Sequence, residues 1–286
     1  MTVLLFRPVG SNRVDPVLVV LWALLVVLAL LWLTPFVFIV MTSVKTIADV
    51  AQTSAFALPA TPAIQNYPDA WARGNFSTTV FNSALITFIK VPLGLFISAM
   101  AAYSLARIEV PGHRVIYLLI LFGTMLPFQV MLAPIFRVVN DFNLINTYVG
   151  VILPYLAFGV PYQVFILYGF FKEVPRELSE AAQVDGASHF TIFWRIFLPI
   201  SLPVLAALLI LDFVATWNEF AMALVILQDN RMWTLPLGLM AFQSQFARNY
   251  GQLNAAIVMT VVPAIIVYMI FQRYFVSGLT QGAVKE

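Results

Sequence analysis

The chain has 286 residues, 62% of them hydrophobic and only 10% charged, with a formal net charge of +2. Soluble domains carry roughly 25% charged residues, so this composition describes an integral membrane protein with no room for a separate soluble domain. The lack of cysteine excludes disulfides, thiolate metal sites and cysteine nucleophiles; the two histidines, His113 and His189, fall in different loops and make no metal site; and no basic patch offers a surface to nucleic acid.

A helix needs about 20 apolar residues to cross a bilayer. Six runs are long enough: 17–41, 79–106, 115–137, 148–171, 202–227 and 255–275. The first follows Arg7 and Arg13. At about 25 residues it exceeds the 7–15 of a cleaved signal core, so it is read as a retained span. The runs are continuous rather than alternating, which predicts helices and not a β-barrel. With the N-terminus inside, nine of the 15 Lys and Arg fall on the cytoplasmic side and five outside, with Lys90 in a span. That bias predicts cytoplasmic N- and C-termini. The expectation is an all-α polytopic membrane protein, residues 1–286 forming one transmembrane domain.

The first outer loop, 42–78, holds Asn66, Tyr67 and Trp71 among prolines. It is either a docking surface for a soluble partner or a set of interface anchors. In the second run, Lys90 stands two residues before Pro92. A mid-membrane lysine costs about 2.5–3.5 kcal/mol on insertion scales, and the nine apolar neighbours between Leu85 and Ile97 offset it by roughly 3–5 kcal/mol. The helix inserts, with Lys90 facing protein or water. Lys90 is read either as one half of a pair with a carboxylate or as part of a pathway or subunit interface. Pro127 and Pro134, after Met125, predict a kinked third span.

Between the fourth and fifth runs lies the one long amphipathic segment, 175–199. Pro175 suits a first helical turn, and Glu177 and Glu180 favour the positive end of that helix. Leu178, Ala181, Ala182 and Asp185 share a small, mildly apolar face. Gly186 is a helix stop. Ser188 can cap a second short helix that Pro199 ends. Two short helices about a small-residue elbow form a knob that another protein's backbone can approach.

The fifth run carries Asp212, Thr216, Asn218 and Glu219. Spacings of four and seven put Asp212, Thr216 and Glu219 on one helical face. That face either lines a pathway or permease contact, or forms an internally satisfied cluster that includes Lys90. The last outer loop, 228–254, offers Arg248, Asn249, Tyr250 and Gln252, side-chain types suited to sugar contact and equally ordinary in an exposed loop.

Several of these segments resemble one family. Glu180-Ala181-Ala182, Gly186 and Leu198-Pro199, with their spacing, are similar to the "EAA" coupling motif of ABC importer permeases. Residues 101–107 resemble the "AAYALAR" segment of the carbohydrate-uptake group, and residues 144–148 and 217–220 ("WNEF") resemble further elements of it. Residues 278–286 are similar to its "GLTxGAVKG" ending, with Glu286 in place of the final glycine.

The resemblance implies a type I ABC importer permease fold of six transmembrane helices with a cytoplasmic coupling helix, of the maltose type and its shorter permease. It implies a bacterial or archaeal inner membrane. It places Glu180, Ala181, Ala182, Asp185, Gly186, Leu198 and Pro199 against a cytoplasmic ATPase dimer. Gly278, Thr280, Gln281 and Gly282 would also contact that dimer. Arg248, Asn249 and Tyr250 would meet an extracytoplasmic solute-binding protein, and a second permease would complete the path. No Gly-Lys dipeptide occurs, so no P-loop exists. The chain is expected to be non-catalytic and without a cofactor, ATP and Mg²⁺ being bound by the partner ATPase. The rival reading is an ion-coupled secondary transporter using Asp212, Glu219 and Lys90; no inverted repeat with paired broken helices supports it.

Overall fold

The computed structural model describes residues 16–54, 56–108, 111–243 and 249–281, with side chains as far as residue 272. The regular structure is helical, with no strand among the described residues. Two compact units can be distinguished, residues 1–70 with 244–258, and residues 71–243 with 259–286.

In the first unit, α1 (Pro16–Ser43) is an uninterrupted apolar helix exposed along nearly its whole length. Its end is tied down by polar groups. The Ser43 hydroxyl bonds the Tyr67 hydroxyl at 2.8 Å. Asn66 Nδ2 donates to the carbonyls of Ser43 and Lys45, each at 2.9 Å. Lys45 is buried, its ammonium donating to the Ser54 carbonyl at 2.8 Å just beyond α2 (Ile47–Gln52). A cation there satisfies carbonyls at a helix C-terminus. Asn66, the first residue of α3 (Asn66–Arg73), is therefore a bracing group for the end of α1.

In the second unit, α4 (Phe76–Arg107) packs along α7 (Tyr148–Glu173). Their facing sides are small: Gly94, Ser98, Ala99 and Ala102 on α4, Gly159 on α7, all buried. Small residues let membrane helices approach, where apolar burial alone gives no drive against lipid. Shorter helices α5 (His113–Thr124) and α6 (Phe128–Asp141) follow α4 in sequence. Past α7 come α8 (Glu177–Val184), α9 (His189–Ile192), a π turn at Phe193–Phe197, α10 (Leu198–Ile200), α11 (Leu202–Trp217) and α12 (Ala221–Ile226). The one-turn α13 (Leu235–Gly238) precedes α14 (Tyr250–Gln281).

Four helices, α1, α4, α7 and α14, are each long and apolar enough to cross a membrane alone. Six spans result when each of two bent pairs counts as one. The expected spans 115–137 and 202–227 are thus not continuous helices. The first is split into α5 and α6, bent by 101° ahead of Pro127, which lacks the N–H to continue a helix. Pro134 sits inside α6 without ending it.

The second run stops early, at Trp217, although the apolar sequence continues. Asn218 Nδ2 donates to the Val214 carbonyl at 3.0 Å, ending α11. Glu219 accepts from the amides of Met222 at 2.8 Å and Ala223 at 3.1 Å, starting α12. Local side-chain bonds replace helical ones there. Upstream, α11 joins the short helices before it through a 73° bend.

Candidate functional site

The chain leaves α7 through Val174 in extended conformation, and α8 starts three residues later, at Glu177. Pro175 lies just outside α8 rather than in its first turn. Glu177 and Glu180 occupy that turn, where acidic side chains favour the helix dipole. The helix ends in a paired closure: Gly186 donates to the Gln183 carbonyl and Ala187 to the Ala182 carbonyl, both at 2.9 Å. This is the Schellman arrangement, and it needs a left-handed residue at its centre. Gly186 supplies it, with φ 81°.

A Cβ at Gly186 would meet no atom within 4 Å, so the obstacle to substitution is the backbone angle alone. Gly186→Asn is expected to retain the elbow, and Gly186→Val to destabilise it by about 1–2 kcal/mol. Accelerated proteolysis between α8 and α9 in the valine variant only would check this.

Beyond the elbow, Ser188 caps α9 by accepting from the Thr191 amide at 3.3 Å. Pro199 does not end this helix; the chain stays helical through Ile200. A π turn precedes it, and its wider spacing lets the chain pass a residue with no N–H to offer.

One side of this region is anchored. Ile192, Phe193 and Phe197 are buried with Tyr103 of α4 and Phe171 of α7, the Tyr103 and Phe197 rings lying 5.0 Å apart. Arg107, the last residue of α4, donates to the carbonyls of Phe171 and Val174 and lies over the Phe197 ring at 5.0 Å. The short helices are thereby tied to the ends of α4 and α7.

The other side is exposed and apolar. Val184 is 87% exposed, Phe190 64%, Trp194 50% and Leu178 43%. Phe190 and Trp194 stack on each other with their rings 16° from parallel. Of the candidate coupling residues, Glu180, Ala181, Asp185 and Gly186 stand together at the surface and Ala182 is half-buried beneath them. Leu198 packs into the core beside Phe197, and Pro199 is exposed two residues beyond the π segment. Val184 and Phe190 were missed from sequence; their signal was an apolar residue set between acidic and small neighbours. Arg107 was noted only as part of a segment, because its partners are backbone carbonyls that no residue type announces.

Deeper in the second unit, Lys90 on α4 forms an ion pair with Asp212 on α11, the two side chains 4% and 3% exposed. Gly159 of α7 makes room for them: a Cβ there would lie 2.8 Å from Lys90 Nζ and 3.4 Å from Asp212 Oδ1. Gly159→Ala is expected to cost about 1–3 kcal/mol by overpacking, read as a lower thermal midpoint in detergent. Gln163 Oε1 accepts from Ser98 at 2.8 Å beside this pair's helices.

Thr216 shares the Asp212 face of α11, but Glu219 does not, because the helix has already ended. Glu219 instead accepts from the Tyr155 hydroxyl and caps α12. Lys90 and Asp212 are brought together, Asn218 closes α11, and Glu219 belongs to a separate cluster with Tyr155, Met222 and Ala223.

Of the outer-loop candidates, Asn249 accepts from the Gln252 amide at 3.2 Å at the start of α14, and Tyr250 is exposed. Arg248 lies outside the described residues. So do Gly282 and the side chains of Thr280 and Gln281; α14, which includes Gly278, is helical through Gln281. Three or more metal-binding side chains gather nowhere among the described residues.

Comparison with known proteins places these features in context. A family profile described as "Binding-protein-dependent transport system inner membrane component" matches residues 90–281. The chain is 36% identical to the diacetylchitobiose uptake system permease protein NgcG of Streptomyces coelicolor, over 94% of this chain and 87% of that one. It is 39% identical to the arabinooligosaccharides transport system permease protein AraQ of Halalkalibacterium halodurans, over 79% and 81%. It also matches a chain of a bacterial ABC transporter involved in the import of the acidic polysaccharide alginate. That match has a TM-score of 0.81 and 25% identity, and covers 94% of this chain and all of the other.

Proposed function

This chain belongs to the family of binding-protein-dependent transport system inner membrane components, and from that premise we propose that it is the permease subunit of an ATP-driven importer for a carbohydrate, polyol or related glycoside. The likeness to sugar-system permeases supports the substrate class. It is a multi-pass inner-membrane protein. We place both termini in the cytoplasm, on the Lys and Arg bias.

The observation that carries the coupling role is the elbow from α8 to α9. Leu178 and Val184 on α8, 43% and 87% exposed, lie outside every candidate span and need a partner to cover them. A cytoplasmic ATPase dimer is the proposed cover, taken by Glu180, Ala181, Asp185, Gly186 and their apolar neighbours. ATP and Mg²⁺ belong to that partner and supply the driving reaction there. This chain's part is mechanical: movement of the elbow passes through the Phe193–Phe197 packing and the Arg107 bonds to α4 and α7. The helices exchange inward- and outward-open states according to which state the partner holds better. A second permease completes the path, a solute-binding protein delivers substrate near Arg248, Asn249 and Tyr250, and the tail from Gly278 to Gly282 meets the ATPase.

The carboxylates that ion coupling would use are both engaged, Asp212 by Lys90 and Glu219 by Tyr155 and the α12 amides. Purification from membranes in mild detergent, with mass spectrometry of partners, tests the proposal. An ATPase and a second permease should co-purify with the chain, and Gly186→Leu should lose the ATPase. A chain that purifies alone, with uptake that survives ATP depletion and fails with the ion gradient, overturns it.

A further inference from the structure

A cavity of about 890 Å³ opens beside the elbow, at the ends of α4 and α7 and the start of α5. Its polar lining includes three cations, Arg107, Lys172 and Arg176, together with His113, Tyr168, Gln183 and His189. Among the described residues, Glu180 is the one carboxylate in the lining, and none of these cations has an ion-pair partner. Lys172 is exposed and rests over the Tyr168 ring at 4.8 Å.

Two residues of this lining each carry a buried polar atom with no hydrogen-bond partner among the described residues, Ser179 Oγ and Arg107 Nε, and Ser179 is only 8% exposed. An unbonded buried hydroxyl is costly, so a ligand oxygen between it and the cations would answer both. One side of the lining is apolar, formed by Leu105, Ala106, Ile108 and Pro111. The position is where long apolar helices end, hence at the membrane–water boundary. A free phosphate would leave that apolar wall exposed; a phosphate carrying glycerol and acyl chains would cover it.

We propose that this cavity binds the phosphate headgroup of an anionic phospholipid, with Lys172 and Arg176 supplying charge and Ser179 and Arg107 supplying hydrogen bonds. Basic pockets between spans on the cytoplasmic side suit such headgroups. Glu180 lies at the edge shared by this cavity and the face proposed for the ATPase, so the site brings lipid composition to the base of the elbow.

The test uses the detergent-purified complex, delipidated and titrated with phosphatidylglycerol or phosphatidylcholine, with bound lipid read by native mass spectrometry. Phosphatidylglycerol should be held in preference. Lys172→Gln with Arg176→Gln should weaken it about tenfold or more without changing phosphatidylcholine retention. Ser179→Ala should weaken it about threefold, and Arg176→Lys should keep it. All but Ser179 are exposed positions, so folding is preserved in the charge variants. Equal retention of the two lipids, or no change in the double variant, overturns the proposal. Displacement of phosphatidylglycerol by inorganic phosphate that is itself retained overturns the lipid assignment in favour of a soluble anion. The same spectra report the ATPase, so a missing ATPase with preserved lipid preference counts against the coupling role alone.

Discussion

Lys90→Met is expected to lower the stability of the folded chain by about 3–5 kcal/mol, the scale for removing one partner of a buried ion pair. The cost comes from Asp212, left charged among α4, α7 and α11 with no counter-ion. One of its oxygens, Oδ2, already lacks a hydrogen bond among the described residues. Asp212→Asn alone should be nearly as harmful, because it strands the ammonium. The double variant Lys90→Met with Asp212→Asn should recover most of the loss, since two neutral groups of similar volume replace the pair. Thermal midpoints in detergent read the stability, and uptake into vesicles reads the function. Recovery of both in the double variant makes the pair structural. Recovery of the midpoint without uptake makes it part of the transport cycle.

Val184→Glu should weaken capture of the ATPase subunit about 30-fold, corresponding to roughly 2 kcal/mol for placing a charge in a desolvated contact. Val184 is 87% exposed, so the change should leave insertion and thermal midpoint where they are. Val184→Ala removes only part of the apolar area and should cost roughly 1 kcal/mol, about fivefold. Titration of the purified permease complex with ATPase subunit measures both. Equal affinity in wild type and Val184→Glu would move the docking face off α8. A parallel loss of thermal midpoint would instead mark Val184 as part of the fold.

Much of the elbow was legible because its signals are local. A glycine five residues after Ala181, a serine two residues later and two acidic residues in the first turn each act within a few positions. The structure uses Gly186 and Ser188 as the chain pattern implies. The ends of α4 and α7 lie within a few residues of the apolar runs for the same reason. The reading failed where a helix stopped without a helix-breaking residue. Asn218 and Glu219 end one helix and start the next through side-chain bonds, while hydropathy runs on past them. It failed again at Pro199, because an upstream π turn absorbed the missing N–H.

By itself, then, the sequence determined a helical membrane protein, the approximate extent of its apolar runs and the elbow at Gly186, all properties of contiguous residues and their transfer between water and lipid. Only the tertiary structure decided that Lys90 meets Asp212 across 122 positions and that Glu219 is a cap rather than part of the Asp212 face. It alone set Arg107 on the carbonyls that hold the elbow, and left Val184 and Phe190 uncovered. Those outcomes depend on how closely α4, α7 and α11 pack, and small residues such as Gly159 set that distance only once their neighbours are in place.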